Sequence, residues 1–529
     1  MQGSPRKIGE TEKIGALRRI KSLTHPTTFS YGTRRALSAA SIRLFEKTKF
    51  FFVLLEKSVR VCYNSFMIEF RGKANRFISV RKIKGERMNL FKKIGLLVAA
   101  AAICFGAAFF VGCSEKTSQG ETESSVNEFT FEEFGNGYRV TAYKGDRAKV
   151  VIPAEYKGGS VRAIGENAFY GNEKLQSVTI PEGVSEIGEN AFCGCTYLTE
   201  LKINATDLET IKDGAFDDLG KSGSGIAVSF GEKVKTIPSG VCASMEKVTR
   251  VDLSEGVTKI GSSAFSGCGS LTEISLPKSL TEIASSAFAR CGSLKEIALP
   301  DSVTTLGNMA FSECSALERA ELGNSLTAIG INAFEKCASL TEIKIPQSVA
   351  KIDSRAFEKS GLVKIEISEG VTEIGGGAFA DCSDLKSIVI PESVTEIGYG
   401  AFSRCTALES VTVGGGVEHI KRGLFEHSPA LKSVTLKNGV KSIESFAGCA
   451  ALKSIVIPES VTEILPYAFE GCNLEKTYYG GTESGWNAIK IDKSSNGGML
   501  NAPRYYYSEN QPAEQGNYWH YVNGVVTEW

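Results

Sequence analysis

A phenylalanine, usually preceded by alanine, returns through most of the chain at an interval of about 23 residues. One long interval, 49 residues from Phe216 to Phe265, accommodates a degenerate copy with Cys242 at the phenylalanine position, which makes 14 copies. The anchor phenylalanines are Phe169, Phe192, Phe216, Phe265, Phe288, Phe311, Phe334, Phe357, Phe379, Phe402, Phe425, Phe446 and Phe469. A unit of this size cannot bury its apolar side alone, so we expect the copies to stack around one continuous core.

The unit at 271–293, LTEISLPKSLTEIASSAFARCGS, shows the pattern within one copy. Alternation at its start predicts a half-buried strand in which Ile274 and Leu276 face inward while Glu273 and Ser275 face outward. The proline ends this strand, and LTEI predicts a second short strand. The segment SSAFARC is then expected to turn the coil as a helical or 3-10 turn, with its Ala-Phe pair filling the interior.

These units resemble the BspA-like class of leucine-rich repeat, and the resemblance covers roughly residues 130–475. It implies a repeat solenoid, a right-handed coil of stacked parallel β-strands with short turns, capped at both ends. We expect the solenoid of about 14 coils to occupy residues 129–475. The resemblance also implies a binding or adhesion module for a protein on host matrix or on another cell surface.

Residues 88–112 have a short basic start and an apolar run, the features of a secretory signal peptide. The sequence FVGC ending at Cys113 resembles the processing site of a bacterial lipoprotein, in which that cysteine is lipidated. The protein would then be extracytoplasmic and anchored at the cell surface by lipid. An uncleaved membrane anchor is the alternative. The polar residues 113–128 are expected to form a flexible tether.

The segment 1–87 is basic and has no sustained hydrophobic period. Because a signal peptide for this processing must stand at the N-terminus, we expect Met88 to be the true start. The alternative is a basic cytoplasmic tail or a disordered segment.

The net charge of zero conceals segments of opposite sign. Residues 1–87 hold 20 Lys and Arg against 6 Asp and Glu, whereas residues 113–529 hold 38 against 54. An acidic surface repels a phosphate backbone, so nucleic acid is not expected as a partner of the exported part.

Nine of the 14 cysteines lie three residues after an anchor phenylalanine. They are Cys195, Cys268, Cys291, Cys314, Cys337, Cys382, Cys405, Cys449 and Cys472. We expect a column of buried thiols, interrupted at Ser360 and Ser428, with disulfides between adjacent coils as the alternative. One cysteine per layer does not form a zinc site, so no metal is expected.

Catalytic signatures are not found. The four histidines, of which only His419 and His427 fall in repeats, stand beside no serine or cysteine arrangement typical of a nucleophile and its base. No phosphate-binding or dinucleotide motif occurs in a supporting context. The sequence therefore predicts a protein that is not an enzyme and has no cofactor.

The outward positions of the first strand are where a ligand would be recognised, because the core fixes the backbone there while the side chains vary. In the middle repeats these positions carry an excess of carboxylates. The predicted ligand-binding residues are Asp252, Glu273, Glu296, Glu321, Glu342 and Glu366. The alternative is an ordinary solvated surface.

The segment 476–529 holds all three tryptophans and many tyrosines. We expect an aromatic cap that shields the last coil. The alternative is a glycan-binding platform formed by Trp486, Tyr506, Trp519 and Tyr521, because exposed aromatic rings suit pyranose faces.

Overall fold

The computed structural model describes residues 124–529. The basic segment 1–87, the signal peptide 88–112 and Cys113 lie outside the described residues. Residues 124–529 form a solenoid of parallel strands with about 16 turns and very few helices. None of the helices in this part is long and apolar enough to cross a bilayer.

The first strand of each turn forms where apolar and polar residues alternate, so that inward side chains are buried and outward ones are exposed, as in Glu342–Ile345. Parallel neighbours align equivalent residues of successive repeats. These first strands are β3 (Lys149–Val151), β6 (Ser177–Ile180), β8 (Glu200–Ile203), β10 (Ile226–Phe230), β12 (Val248–Asp252), β15 (Glu296–Ala298), β17 (Arg319–Glu321), β19 (Glu342–Ile345), β21 (Lys364–Ile367), β23 (Ser387–Ile390), β25 (Ser410–Val413), β27 (Ser433–Leu436) and β29 (Ser454–Ile457).

The second strand of each turn is only two residues long in most coils, an outward residue followed by a buried Ile or Leu. These second strands are β5 (Gly159–Ile164), β7 (Glu186–Ile187), β9 (Thr210–Ile211), β11 (Thr236–Ile237), β13 (Lys259–Ile260), β14 (Glu282–Ile283), β16 (Thr305–Leu306), β18 (Ala328–Ile329), β20 (Lys351–Ile352), β22 (Glu373–Ile374), β24 (Glu396–Ile397), β26 (His419–Ile420), β28 (Ser442–Ile443) and β30 (Glu463–Ile464).

The two faces are hydrogen-bonded to different extents. From β11 to β24 the second strands form one continuous sheet. Over the same coils the first strands are divided among the ladder that ends at β12, the separate pairs β15–β17 and β19–β21, and the sheet that begins at β23. Residues 271–276 form no strand, although Ile274 and Leu276 still pack, part-buried, against the core. The first-strand face is therefore interrupted in the middle of the solenoid.

The turn that carries the anchor phenylalanine is not a continuous helix. It contains i to i+3 hydrogen bonds, such as Cys291 N to Phe288 O, but Ser286 and Arg290 have left-handed φ values of 58° and 60° that end each helical turn. Their amides and that of Phe288 donate instead to carbonyls of the next coil. The turns thus form a third hydrogen-bonded face.

The anchor phenylalanines stack in the interior. From Phe265 to Phe469 successive ring centroids lie 5.1–5.7 Å apart and the ring planes are within 20° of parallel. Beside them runs the predicted cysteine column, and all 11 cysteines within residues 124–529 are free thiols. The column has the buried position that the sequence predicts for these cysteines.

The folded part includes Ser124, whereas the sequence predicts a flexible tether as far as residue 128. Val126–Glu128 form a 3-10 helix, and the buried Ser124 accepts a hydrogen bond from Val151 N through its hydroxyl oxygen. An antiparallel hairpin of β1 (Phe129–Phe134) and β2 (Gly137–Tyr143) then covers the first coil, and β4 (Glu155–Tyr156) pairs with β5. Residues 124–128 thus belong to the N-terminal cap.

The C-terminal segment adds a further coil before it caps the solenoid. β31 (Lys476–Tyr479) and β32 (Lys490–Ile491) pair in parallel with β29 and β30 and are joined by α1 (Glu483–Ala488). After α2 (Gly497–Asn501) follow β33 (Arg504–Tyr507), β34 (Tyr518–Val522) and β35 (Val525–Glu528), of which the last two form an antiparallel hairpin.

Candidate functional site

The six predicted carboxylates lie on the outer side of the first strands, but in two separate rows. Glu273, Glu296 and Glu342 occupy the row at the start of the strands, and all three are exposed. Asp252, Glu321 and Glu366 occupy the row two residues further along. The structure therefore divides the predicted patch into halves.

The first row lines a groove of about 880 Å³. It extends over the coils in which the first-strand sheet is interrupted, and its lining residues are Thr272, Glu273, Lys295, Glu296, Glu318, Arg319, Ser339, Thr341 and Glu342. Four carboxylates face two cations there, so the groove has an excess of negative charge. Glu318, one position before the strand, was not among the predicted residues because only the alternating strand positions were considered.

The second row is partly neutralised by its own neighbours. Arg250 Nε lies 2.8 Å from Asp252 Oδ1, and Lys344 Nζ lies 2.8 Å from Glu366 Oε1. The hydrogen bond from Lys344 lowers the pKa of the Glu366 carboxyl. Within residues 124–529, by contrast, none of the carboxylates in the groove takes part in a salt bridge.

The four aromatic residues of the glycan hypothesis do not form one exposed platform. Trp486 and Trp519 are only 2% and 1% exposed, Tyr506 is half-buried, and Tyr521 is 43% exposed. Trp486 packs edge-on against Tyr479, and Trp519 Nε1 donates to Tyr479 O across 2.8 Å. Both tryptophans thus serve the cap, which corrects their proposed role as stacking surfaces.

Tyr521 does line a different groove, of about 590 Å³, between the C-terminal hairpin and the first-strand face of the last coils. Tyr507 and the edge of Trp519 lie in it as well, together with outward threonines of β25 and β27. The sequence did not indicate this groove because the fold-back of the hairpin joins positions that are about 100 residues apart.

A third cavity, of about 680 Å³, lies at the degenerate copy. Cys242 cannot continue the stack of rings beyond Phe216, and Phe216 is only part-buried. In the described structure no main-chain hydrogen bond joins β9 to β11, and none joins the turn of Phe216 to the turn of Cys242. The 49-residue interval between Phe216 and Phe265 was the sequence signal for this weakly bonded junction between coils.

The sequence did not predict one contact between a serine and a histidine. His419 Nδ1 lies 2.9 Å from Ser442 Oγ, because the two residues pair across β26 and β28 in adjacent coils. Glu418 Oε2 is 4.0 Å from His419 Nε2, beyond hydrogen-bond range. Ser442 is only 9% exposed, and neither residue lines the cavities described above.

No group of three or more histidine, cysteine or acidic side chains arranged to hold a metal ion occurs among residues 124–529. The interior cysteines are separated by one coil each and are used in hydrogen bonds to main-chain carbonyls.

Stacked coils with a phenylalanine interior and a long exposed strand face define a leucine-rich-repeat scaffold that presents one extended surface. More particularly, the chain belongs to the family described as BspA type leucine rich repeat region (6 copies), whose model matches residues 162–291, 235–362 and 351–475. The resemblance inferred from the 23-residue pattern is thereby confirmed.

Several solved structures are similar to this chain. A leucine rich cell surface protein from Faecalibacterium prausnitzii A2-165 is 29% identical, with 72% of this chain and 100% of that chain covered and a TM-score of 0.33. A leucine-rich repeat protein from Bacteroides ovatus ATCC 8483 is 25% identical, with 73% and 94% covered and a TM-score of 0.43. No curated protein matches the chain.

Proposed function

We propose that this chain is a lipid-anchored cell-surface binding protein that recognises a basic protein ligand through the groove lined by Glu273, Glu296 and Glu342. Membership of the leucine-rich-repeat family supports a binding role in general. The observation that carries the proposal is that these three carboxylates, separated by whole repeats in sequence, line one groove without salt bridges inside the described part of the chain.

The groove has the physical properties that such a role requires. Its volume of about 880 Å³ accommodates several side chains of a partner, and the rigid core beneath it fixes the spacing of the carboxylates. Like charges that share a concave surface attract cations and accelerate encounter with a basic partner. Lys295 and Arg319, also in the groove, would select for a ligand that carries some acidic groups as well.

The interrupted sheet contributes to the same surface. Around residues 271–276 the main chain is not paired in a strand ladder, and Ile274 and Leu276 are part-buried. A ligand there would meet main-chain groups outside the strand ladder, beside the carboxylates.

The anchor is the second part of the proposal. Cys113 would carry the lipid, and the following polar residues up to about residue 123 would hold the solenoid away from the membrane. Metabolic labelling with a fatty acid should mark the wild-type chain and leave Cys113→Ala unlabelled. Labelling of the alanine variant would contradict the anchor without affecting the binding proposal.

The experiment on the groove uses charge reversal. The triple variant Glu273→Lys, Glu296→Lys and Glu342→Lys should lose capture of protein from a solubilised host-matrix extract, measured as bound mass on a sensor surface. The wild-type signal should also fall as salt is raised, because the attraction is electrostatic.

The matched control reverses three exposed carboxylates elsewhere, Glu209→Lys, Glu396→Lys and Glu463→Lys, which lie at or beside the second strands and change the net charge equally. This variant should bind as the wild type does. Equal loss in both variants would indicate a general charge effect, and unchanged binding by the groove variant would reject the groove as the ligand site.

A further inference from the structure

The C-terminal hairpin folds back over the outer side of the sheet. Lys476 Nζ and Tyr478 Oη each lie 2.6 Å from Glu528 Oε1, which fixes β35 above β31. The hairpin turn is formed by Asn523 and Gly524 with φ values of 51° and 79°, the backbone that favours a tight two-residue connection. The contacts of Glu528 thus hold the open end of the hairpin against β31.

Trp519 fixes the two tyrosine rings beside it. Its ring meets Tyr507 at 5.2 Å and Tyr521 at 4.9 Å, with interplanar angles of 70° and 79°. Trp519 is itself immobilised by the hydrogen bond from Nε1 to Tyr479 O. Edge-to-face packing of this kind orients rings without covering them, and Tyr507 and Tyr521 stay 39% and 43% exposed.

The opposite wall of this groove combines polar side chains with the apolar Leu436, Val456 and Pro458. The outward side chains of Thr412 and Thr435 come from adjacent coils, where the two residues are register partners. Asn438 and Glu459, from the turns that follow β27 and β29, add an amide and a carboxylate. The groove therefore places aromatic rings beside a wall that carries hydrogen-bonding groups among apolar side chains.

We infer that this groove between the hairpin and the last coils, termed the hairpin groove, binds an oligosaccharide. A pyranose ring has apolar C–H faces that pack on aromatic rings and equatorial hydroxyls that donate and accept hydrogen bonds. The tyrosines supply the first kind of contact, and the threonine, asparagine and glutamate side chains supply the second. The volume of about 590 Å³ is in the range of small-molecule sites and accommodates a few sugar units.

The charges of the hairpin groove favour a neutral ligand. Lys437 Nζ is paired with Glu392 Oε1 at 2.6 Å, so one of the two charged residues on the wall is already neutralised. The hairpin groove is also separate from the carboxylate groove of the middle coils, with which it shares no residue. The proposal for the carboxylate groove and the proposal for the hairpin groove can therefore be tested independently.

The test is titration calorimetry of the purified full chain with cellotetraose, mannotetraose, xylotetraose and chitotetraose. At least one of these neutral oligosaccharides should bind at one site per chain. Tyr507→Ala and Tyr521→Ala should each weaken that binding at least about tenfold, as expected for aromatic residues central to a binding site. The control, Tyr170→Ala, removes a tyrosine that is 62% exposed near the other end of the solenoid and should bind normally.

Conservative variants keep the result interpretable if an alanine variant unfolds. Tyr507→Phe and Tyr521→Phe retain the ring face and should bind within about threefold of the wild type, whereas Thr435→Ala should weaken binding without affecting the hairpin. Binding of no oligosaccharide in the panel overturns the inference, as does equal affinity of the wild type and both tyrosine-to-alanine variants. The inference would also be overturned if an extended peptide displaced the sugar from the hairpin groove.

Discussion

The thiol of Cys314 donates a hydrogen bond to the main-chain oxygen of Phe288, one coil earlier, across 3.1 Å. The same contact recurs along the column, for example from Cys291 to Phe265 at 3.2 Å and from Cys337 to Phe311 at 3.2 Å. The carbonyl of Phe288 also accepts from Cys291 N within its own coil. Cysteine therefore fills an interior corner and satisfies the second lone pair of a buried carbonyl.

Cys314→Ala should lower the free energy of unfolding by about 1–2 kcal/mol, because it removes both buried volume and this hydrogen bond. Guanidinium unfolding followed by circular dichroism measures the change. Cys193→Ala is the control, since Cys193 is part-exposed and lies outside the column. A loss of equal size at both positions would show that the hydrogen bond to Phe288 has no special contribution.

Ser428→Cys should raise the free energy of unfolding by about 1 kcal/mol. Ser428 occupies a cysteine position, is completely buried and has no hydrogen-bond partner for its hydroxyl. A thiol there is less costly to bury and would reach toward the preceding coil as its neighbours do. Ser360→Cys is the comparison, because Ser360 Oγ already contacts Cys382 Sγ at 3.3 Å and should gain less. Destabilisation by Ser428→Cys would refute this account of the column.

Stability should fall as the pH rises above about 9. Burial raises the pKa of the thiols of Cys195, Cys382, Cys449 and Cys472 to about 12, whereas an exposed cysteine has a pKa of 9.0. Between these values the unfolded chain releases protons that the folded chain keeps, so the unfolded state gains stability with increasing pH. Below about pH 8 the thiols are protonated in both states and contribute no pH dependence.

Guanidinium midpoints measured under reducing conditions from pH 7 to pH 10 test this expectation. Replacing those four cysteines by alanine should reduce the slope above about pH 9 while lowering stability throughout. An unchanged slope would assign the alkaline transition to other groups, such as Tyr478, whose pKa is also raised by burial.

Asn496→Ala should cost about 2–3 kcal/mol in the free energy of unfolding. Asn496 is completely buried after the last anchor phenylalanine, accepts from Phe469 N through Oδ1 and donates to Leu465 O and Asp492 O through Nδ2. Without it, main-chain groups of the last coil lose their partners. Thermal unfolding measures the change, and Asn473→Ala, which loses one exposed hydrogen bond, should have little effect. Comparable losses in the two variants would contradict the capping role of Asn496.

The features that repeat were predictable from the sequence because every copy contains the same residue pattern. The spacing of Phe288 and Phe311 predicts stacked rings, and the cysteine three residues later predicts a column. The alternation around Ile343 predicts that its side chain is buried, and the side chain is only 5% exposed. One unit thus contains most of the information about the core, and the remaining copies confirm it.

Features that depend on relations between coils were not predictable. The unit at 271–293 follows the pattern closely, yet its first segment forms no ladder, because pairing depends on the separation from its neighbours. The contact of His419 with Ser442 arises only when coils are aligned. The burial of Trp486 and Trp519 depends on how the last segment folds back, which composition alone does not determine.

The end of the phenylalanine stack at Phe216, whose ring packs on Phe192 but has no ring on its other side, has a consequence for how the molecule unfolds. In a linear array, cooperativity is transmitted only through contacts between nearest neighbours. Between the coils of Phe216 and Cys242 the second-strand sheet and the hydrogen bonds between turns are both interrupted, and only the ladder from β8 through β10 to β12 continues. Melting that starts at the N-terminal coils can therefore halt at this weak junction and leave the remainder of the array intact.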